Sequence, residues 1–192
     1  QQANIIKDTC EKGRMLAIVD SPESYLKNYA IEGLTIAGQN FNTHFIVSGK
    51  TESIIDLQTY LQNKRIVCQM LPISYAFHSP FIDPAKNLFL EFSKNITISS
   101  PKPPYISSES TTTLNQISPQ HLWKSVRNPI QFQATLTNLK HEDITFIDVG
   151  PSGTMATFIK YNQPPNHHSY YETLHPMKKS LNWLDTLKED LT

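Results

Sequence analysis

The order of apolar runs and helix signals predicts a mixed α/β fold, with an α+β unit of βαββαβ type followed by a longer α/β part. Three observations carry that reading. From Met15 to Leu71 the chain reads strand, helix, strand, strand, helix, strand. Beyond Leu71 the rhythm changes to helices separated by Pro- and Gly-rich connections, with one apolar run, Ile144 to Val149, that reads as a buried strand. The 192 residues give room for one ordinary domain or two small ones, with a core large enough to fold without disulfides.

Taken in order, Ile5, Ile6 and Cys10 continue a helical pattern that Gly13 stops, and Met15 to Val19 is the first strand. Ser21-Pro22-Glu23 starts a helix to Tyr29: Ser caps, Pro fits the first turn and Glu suits the positive end. Gly33 closes it. Leu34 to Ala37 and Phe45 to Val47 read as a hairpin joined through the polar Gln39 to Thr43. Thr51 opens a helix whose apolar face is Ile54, Ile55, Leu57 and Leu61, and the strand Ile66 to Leu71 alternates behind it. This is the ferredoxin-like order, in which two helices cover one face of an antiparallel sheet. Further on, the pattern gives a helix from Phe81 to Lys94, an extended Pro101 to Ile106, and helices at His121 to Val126 and Ile130 to Leu139. After the strand Ile144 to Val149 come the turn Gly150-Pro151-Ser152-Gly153, a helix from Thr154 to Tyr161, extended Tyr170 to Leu174, and a helix from Leu181 to Leu191.

Seventeen Lys and Arg balance seventeen Asp and Glu with no block of one sign, so neither nucleic acid nor an anionic membrane surface is an expected partner. No run is long enough to cross a bilayer as a helix. Cys10 and Cys68 are far apart and lack C-x-x-C spacing, which argues against structural zinc and a secreted disulfide framework and favours a reducing, cytoplasmic setting.

Several motifs fail on inspection. Ser48-Gly49-Lys50-Thr51 precedes a helix like the end of a phosphate loop, yet His44 stands where that loop needs its first glycine. Gly150-Pro151-Ser152-Gly153-Thr154 is half of a G-x-S-x-G elbow, and no complete elbow exists in the sequence. Thr43 to Gly49 lacks the exposed aromatic and basic run of an RNA-recognition strand. His141-Glu142-Asp143 and His167-His168 lack H-E-x-x-H spacing and read as turn residues, leaving no metal site. In Ser74-Tyr75-Ala76-Phe77-His78-Ser79-Pro80-Phe81, taken alone, His78 is a helix-start residue beside a Ser-Pro cap.

Four ordered segments change that balance. Asn40 with Phe45-Ile46-Val47-Ser48-Gly49, then Tyr75-Ala76-Phe77-His78-Ser79-Pro80, Arg127-Asn128-Pro129-Ile130-Gln131-Phe132, and Asp148-Val149-Gly150-Pro151-Ser152-Gly153 stand in sequence. They resemble the N-x-P-x-x-V-V-V-S-G, A-F-H-S-P, N-P-V-x-F and E-V-G-P-G segments of the malonyl-CoA:acyl carrier protein transacylase family, which includes polyketide synthase acyltransferase domains. The resemblance implies a ferredoxin-like small subdomain, 14–72, set into a larger α/β-hydrolase-like subdomain whose C-terminal portion is 73–192, with 1–13 ending a large-subdomain helix.

It also implies a ping-pong reaction in which a serine takes malonyl from coenzyme A and passes it to the phosphopantetheine thiol of an acyl carrier protein. The thioester is the substrate, and no permanently bound cofactor is expected. His78 falls on the catalytic base, and the main-chain carbonyl that holds its second ring nitrogen falls near Ser125. Asn40, Phe77 and Tyr75 fall beside the acyl group, with Asn40 equally readable as a hairpin Asn; bulky Phe77 favours malonyl over an α-methylated acyl group. The family's G-H-S-x-G nucleophile, oxyanion Gln segment and carboxylate-binding arginine are expected upstream of Gln1, because Gln1-Gln2 resembles the end of an R-G-x-L-M-Q run. The chain is therefore expected to be inactive alone and to need an N-terminal segment or companion chain. Its sequence leaves open an acyl hydrolase acting on carrier-bound groups and a non-catalytic carrier-binding module.

Overall fold

The computed structural model describes residues 1–139, 144–162, 170–172 and 189. They divide into two units, Gln1–Thr135 and Leu136–Thr192.

In the first unit, the helix α1 (Gln2–Thr9) leads into β1 (Gly13–Ile18), followed by α2 (Pro22–Asn28), β2 (Thr35–Phe41), β3 (His44–Lys50), α3 (Thr51–Asn63) and β4 (Cys68–Met70). Ser21 caps α2 by accepting the Ser24 N–H at 3.0 Å, and Pro22 fills the first helical position where no donor is needed. The strands lie in the order β4-β1-β3-β2, with β1 antiparallel to both β3 and β4 and β2 antiparallel to β3. That is the ferredoxin-like topology the element order predicts. One face is sealed by Leu16, Ile18, Phe45 and Val47 from the sheet, Tyr25 from α2, and Ile54, Leu57 and Leu61 from α3. Each fully buried aliphatic or aromatic side chain contributes about 1.5–3 kcal/mol. Ile55, assigned to this face by sequence, is 48% exposed, because it lies one residue off the Ile54, Leu57, Leu61 stripe.

Three boundaries differ from expectation. Strands β2 and β3 continue through the polar stretch to Phe41 and His44, where the two rings stack at 5.1 Å and Asn42-Thr43 is left as the turn. A fifth strand, β7 (Ile130–Gln131), lies parallel to β2 through Gly38↔Ile130 and Gln39↔Gln131, where sequence gives the start of a helix. Pro129 explains the interruption, since it favours extended backbone in the residue before it. The Phe81 to Lys94 helix is a 3₁₀ helix (Pro80–Ala85) followed by α4 (Lys86–Ser93), because Pro84 supplies no N–H to an α-helical ladder.

Between α4 and β7 come the short hairpin β5 (Tyr105–Ile106) and β6 (Thr113–Leu114) and the helix α5 (Pro119–Arg127). A second apolar cluster joins Ile6 of α1, Ile82 and Ala85 of the 3₁₀ helix, Phe89 of α4 and Trp123 of α5, with the Phe89 and Trp123 rings 5.4 Å apart. Elements on either side of the βαββαβ unit thus pack together. The division of the chain falls after Thr135 rather than at 72, since β7 joins the sheet and Gly13 donates its N–H to the Ser74 carbonyl at 3.0 Å.

Helix α6 (Phe132–Asn138) crosses the division. In the second unit, β8 (Phe146–Asp148) pairs parallel with β9 (Tyr170–Glu172), and α7 (Thr154–Asn162) lies between them in sequence. The His141-Glu142-Asp143 and His167-His168 runs and the terminal helix Leu181 to Leu191 lie outside the described residues, apart from Glu189.

Candidate active site

The segment after β4 is built around Ser79, which is fully buried. Its hydroxyl donates to the Ala76 carbonyl at 2.6 Å and accepts the Phe81 N–H at 3.3 Å, so Ser79 caps the 3₁₀ helix and Pro80 opens it. Capping is thereby complete without the imidazole of His78. His78 sits at φ +57°, a left-handed conformation that costs a non-glycine residue about 1–2 kcal/mol. Its N–H donates to the Val126 carbonyl at 3.0 Å, which binds this bend to the end of α5.

Helix α5 is capped by Ser118, which accepts the His121 N–H at 3.1 Å, and ends at Asn128. The Asn128 N–H completes the last turn by donating to the Lys124 carbonyl at 2.8 Å, while Pro129 favours the extended backbone observed at Asn128, φ −86° and ψ 155°. The Asn128 carbonyl therefore leaves the helical direction and accepts from His78 Nδ1 at 2.8 Å. This corrects the placement near Ser125: the Ser125 side chain donates to the His121 carbonyl at 3.0 Å, and the carbonyl on the imidazole belongs to Asn128. The signal was present in the Asn-Pro pair at a helix end. Arg127 adds a forked ion pair to Asp83, 2.6 Å from Nε and 3.1 Å from Nη2, tying α5 to the 3₁₀ helix that follows His78.

A carbonyl can only accept, so Nδ1 carries the proton and Nε2 presents a lone pair. No described residue is hydrogen-bonded to Nε2. Burial pushes the His78 pKa below its ordinary value of 6.5, and the Asn128 carbonyl partly opposes that shift. The imidazole is thus neutral at neutral pH, fixed in one tautomer, and suited to take a proton at Nε2.

Asn40 is buried on β2, and its amide nitrogen is 2.9 Å from His44 Nδ1 across the hairpin. Burial also lowers the His44 pKa. The β2–β7 pairing connects the strand of Asn40 to the strand that begins two residues after Asn128. Tyr75 and Phe77 are half-buried against the cluster around Ile82 and Trp123. In the second unit, the buried Asp148 accepts from the N–H groups of Gly150 at 2.8 Å and Ala156 at 3.0 Å, so its carboxylate shapes the turn and the start of α7. Ser152 is exposed, with its hydroxyl 2.7 Å from that of Thr154. Cys10 and Cys68 are free thiols. No described helix is long and apolar enough to cross a membrane.

A neutral histidine of fixed tautomer, held between a ferredoxin-like sheet and an Asn-Pro loop, defines a protein equipped for proton transfer. A family model for the acyl transferase domain matches residues 3–182, and the chain belongs to that family. The polyketide biosynthesis acyltransferase homolog PksD of Bacillus subtilis (strain 168) is 38% identical over 162 residues, which are 83% of this chain and 50% of that protein. Its counterpart BaeD of Bacillus velezensis is 37% identical over 166 residues, 85% of this chain and 51% of that protein. The chain spans about half the length of these curated relatives. Among solved structures, the acyltransferase domain from module 8 of the salinomycin polyketide synthase superposes with a TM-score of 0.85 at 16% identity, covering 99% of this chain and 47% of that one. Malonyl CoA-acyl carrier protein transacylase from Clostridium perfringens gives 0.77 at 17% identity, covering 99% and 61%. At such identities these likenesses establish the mixed α/β fold.

Proposed function

We propose that this chain supplies the general base of an acyl transferase that moves malonyl from coenzyme A to the phosphopantetheine thiol of an acyl carrier protein. The observation that carries the reading is the 2.8 Å bond from His78 Nδ1 to the Asn128 carbonyl, which leaves Nε2 to handle the proton. The sequence holds no G-x-S-x-G, so the nucleophilic serine comes from an N-terminal segment or companion chain outside these residues.

His78 Nε2 takes the serine proton as the oxygen attacks the thioester carbonyl, then returns it to the departing coenzyme A sulfur. In the second half-reaction it takes the proton of the carrier thiol, which attacks the acyl-serine, and returns it to the serine oxygen. Throughout, the Nδ1–H bond to Asn128 favours the imidazolium formed at the midpoint of each transfer. Coenzyme A enters as part of the substrate and no resident cofactor is required. Phe77 and Tyr75, two of the half-buried aromatics before the base, bound the acyl pocket, and Asn40 lines it from β2. A malonyl carboxylate buried there needs an arginine from outside these residues, since an unpaired buried charge is strongly unfavourable.

The test is intact-mass spectrometry after incubation with malonyl-CoA, with and without carrier protein. The complete protein is expected to acquire malonyl on a serine and deliver it to the carrier, while residues 1–192 alone acquire none. A stable malonyl adduct on residues 1–192 alone would refute the division of labour, and release of acyl groups from the carrier to water would favour a hydrolase.

A further inference from the structure

We infer that Glu109 is a positioning residue for His78, acting through the side chain of Asn128; the inference rests on the general-base reading above. The carboxylate Oε1 of Glu109 accepts from Asn128 Nδ2 at 2.7 Å, and the carbonyl of the same Asn128 accepts from His78 Nδ1 at 2.8 Å. One residue thus transmits the placement of the β5–β6 turn to the imidazole. Chemistry fixes the direction of both bonds, because a carboxylate and a carbonyl can only accept.

The turn that presents Glu109 is itself held. The Ser107 N–H donates to the Thr112 carbonyl at 3.0 Å, and the Thr111 N–H donates to the Ser107 carbonyl at 2.7 Å. Ser107 is buried, and its hydroxyl accepts the Glu109 N–H at 3.3 Å. The same turn also grips the far end of the Asn-Pro loop. The Gln131 N–H donates to the Ser108 carbonyl at 2.8 Å, and Gln131 Nε2 donates to the Glu109 carbonyl at 2.9 Å. All of these contacts use the main chain of 108 and 109. The Glu109 side chain has one bond recorded, the charge-assisted one to Asn128, so replacing it perturbs that link and leaves the turn and the Gln131 clamp in place.

The need for such a link follows from the backbone. Asn128 follows a helix end and precedes proline, so its N–H and its φ are committed, yet the direction of its carbonyl still depends on ψ. Tying its side chain to a rigid turn fixes that last rotation. Without the tie, the carbonyl samples other directions and the neutral imidazole is released to exchange between its Nδ1–H and Nε2–H tautomers.

The experiment compares Glu109→Ala and Glu109→Gln in the complete protein, reading the His78 tautomer from imidazole ¹⁵N shifts and acyl transfer from steady-state kinetics. Wild type and Glu109→Gln, which keeps an acceptor oxygen, are expected to show the Nδ1–H tautomer and transfer rates within about three-fold of each other. Glu109→Ala is expected to show mixed tautomers and about ten-fold lower kcat with unchanged KM. Unchanged tautomer in Glu109→Ala, equal impairment of Glu109→Gln, or loss of the fold in Glu109→Ala would each overturn the proposal. The tautomer is read without turnover, so a failure of the general-base reading, seen as full activity in a His78 variant, is separable from a failure of this one.

Discussion

Gly13 is where the sheet and the His78 segment approach most closely, and adding one methyl there should damage both. A Cβ on Gly13 would lie 2.7 Å from the Gly49 carbonyl oxygen, 2.8 Å from the Ala76 Cβ and 3.1 Å from the Ala76 nitrogen. Carbon atoms rest at about 3.5–4.0 Å, so the Ala76 methyl would have to retreat by about 0.7 Å or more. None of the three neighbours is the end of a flexible side chain that could rotate away. Overpacking of this kind costs about 1–3 kcal/mol, and the loss of unfolded-state freedom from Gly to Ala returns about 0.4–1, leaving a net loss of about 1–2. Ala76 stands two residues before His78, and its carbonyl holds the Ser79 hydroxyl, so the displacement passes to the imidazole. A misplacement approaching 1 Å can lower a rate by about a hundred-fold. Gly13→Ala in the complete protein is therefore expected to lower the urea-unfolding free energy by that amount and acyl transfer by about ten-fold or more. Adding Ala76→Gly removes the methyl contact and should recover part of both losses. Unchanged stability, within about 0.3 kcal/mol, together with an unchanged rate would refute the packing argument.

Two further outcomes follow from the site. The His78 pKa is lowered in the folded protein by burial, partly opposed by the Asn128 carbonyl, so the unfolded chain binds the proton first as pH falls. The stability associated with neutral His78 is then complete above about 6.5 and is lost as pH falls from there through the folded pKa; buried His44 shifts in the same direction and adds to it. The acid limb of kcat/KM should accordingly have its midpoint below 6.5, and a midpoint at or above that value contradicts the assignment of the base. Phe77→Ser should open the acyl pocket and raise methylmalonyl use relative to malonyl by about ten-fold, within the range one methyl group commands, with thermal unfolding measured in parallel because Phe77 also packs against the second core cluster. An unaltered preference in folded variant protein would remove Phe77 from the pocket.

The ferredoxin-like unit was legible because each of its elements carries its own signal: period-two apolar strands, a Ser-Pro-Glu helix start, and the Ile54, Leu57, Leu61 stripe. His78 was legible through its neighbours, since Ser79 and Pro80 account for the cap and leave the imidazole unexplained by local structure. The fifth strand and the identity of the carbonyl on Nδ1 were not legible from periodicity. Ile130-Gln131 is too short to show a period, and its pairing with Gly38 and Gln39 is a tertiary event. The Asn128 carbonyl could have been inferred from Pro129, which turns the preceding residue out of the helix, whereas counting back to Ser125 lands inside α5, where carbonyls point along the helix axis. Glu109 carries no sequence signal, because its link to Asn128 spans nineteen residues and depends on a turn closed by main-chain bonds.

The central claim is that His78 moves the protons of acyl transfer, and His78→Ala in the complete protein tests it most directly. With the fold verified by circular dichroism, single-turnover acylation by malonyl-CoA and delivery to the carrier protein should both fall by about a hundred- to ten-thousand-fold, the loss typical of a missing general base. Wild-type rates in a folded His78→Ala protein would contradict the claim and reduce the bond to Asn128 to a device that shapes the loop.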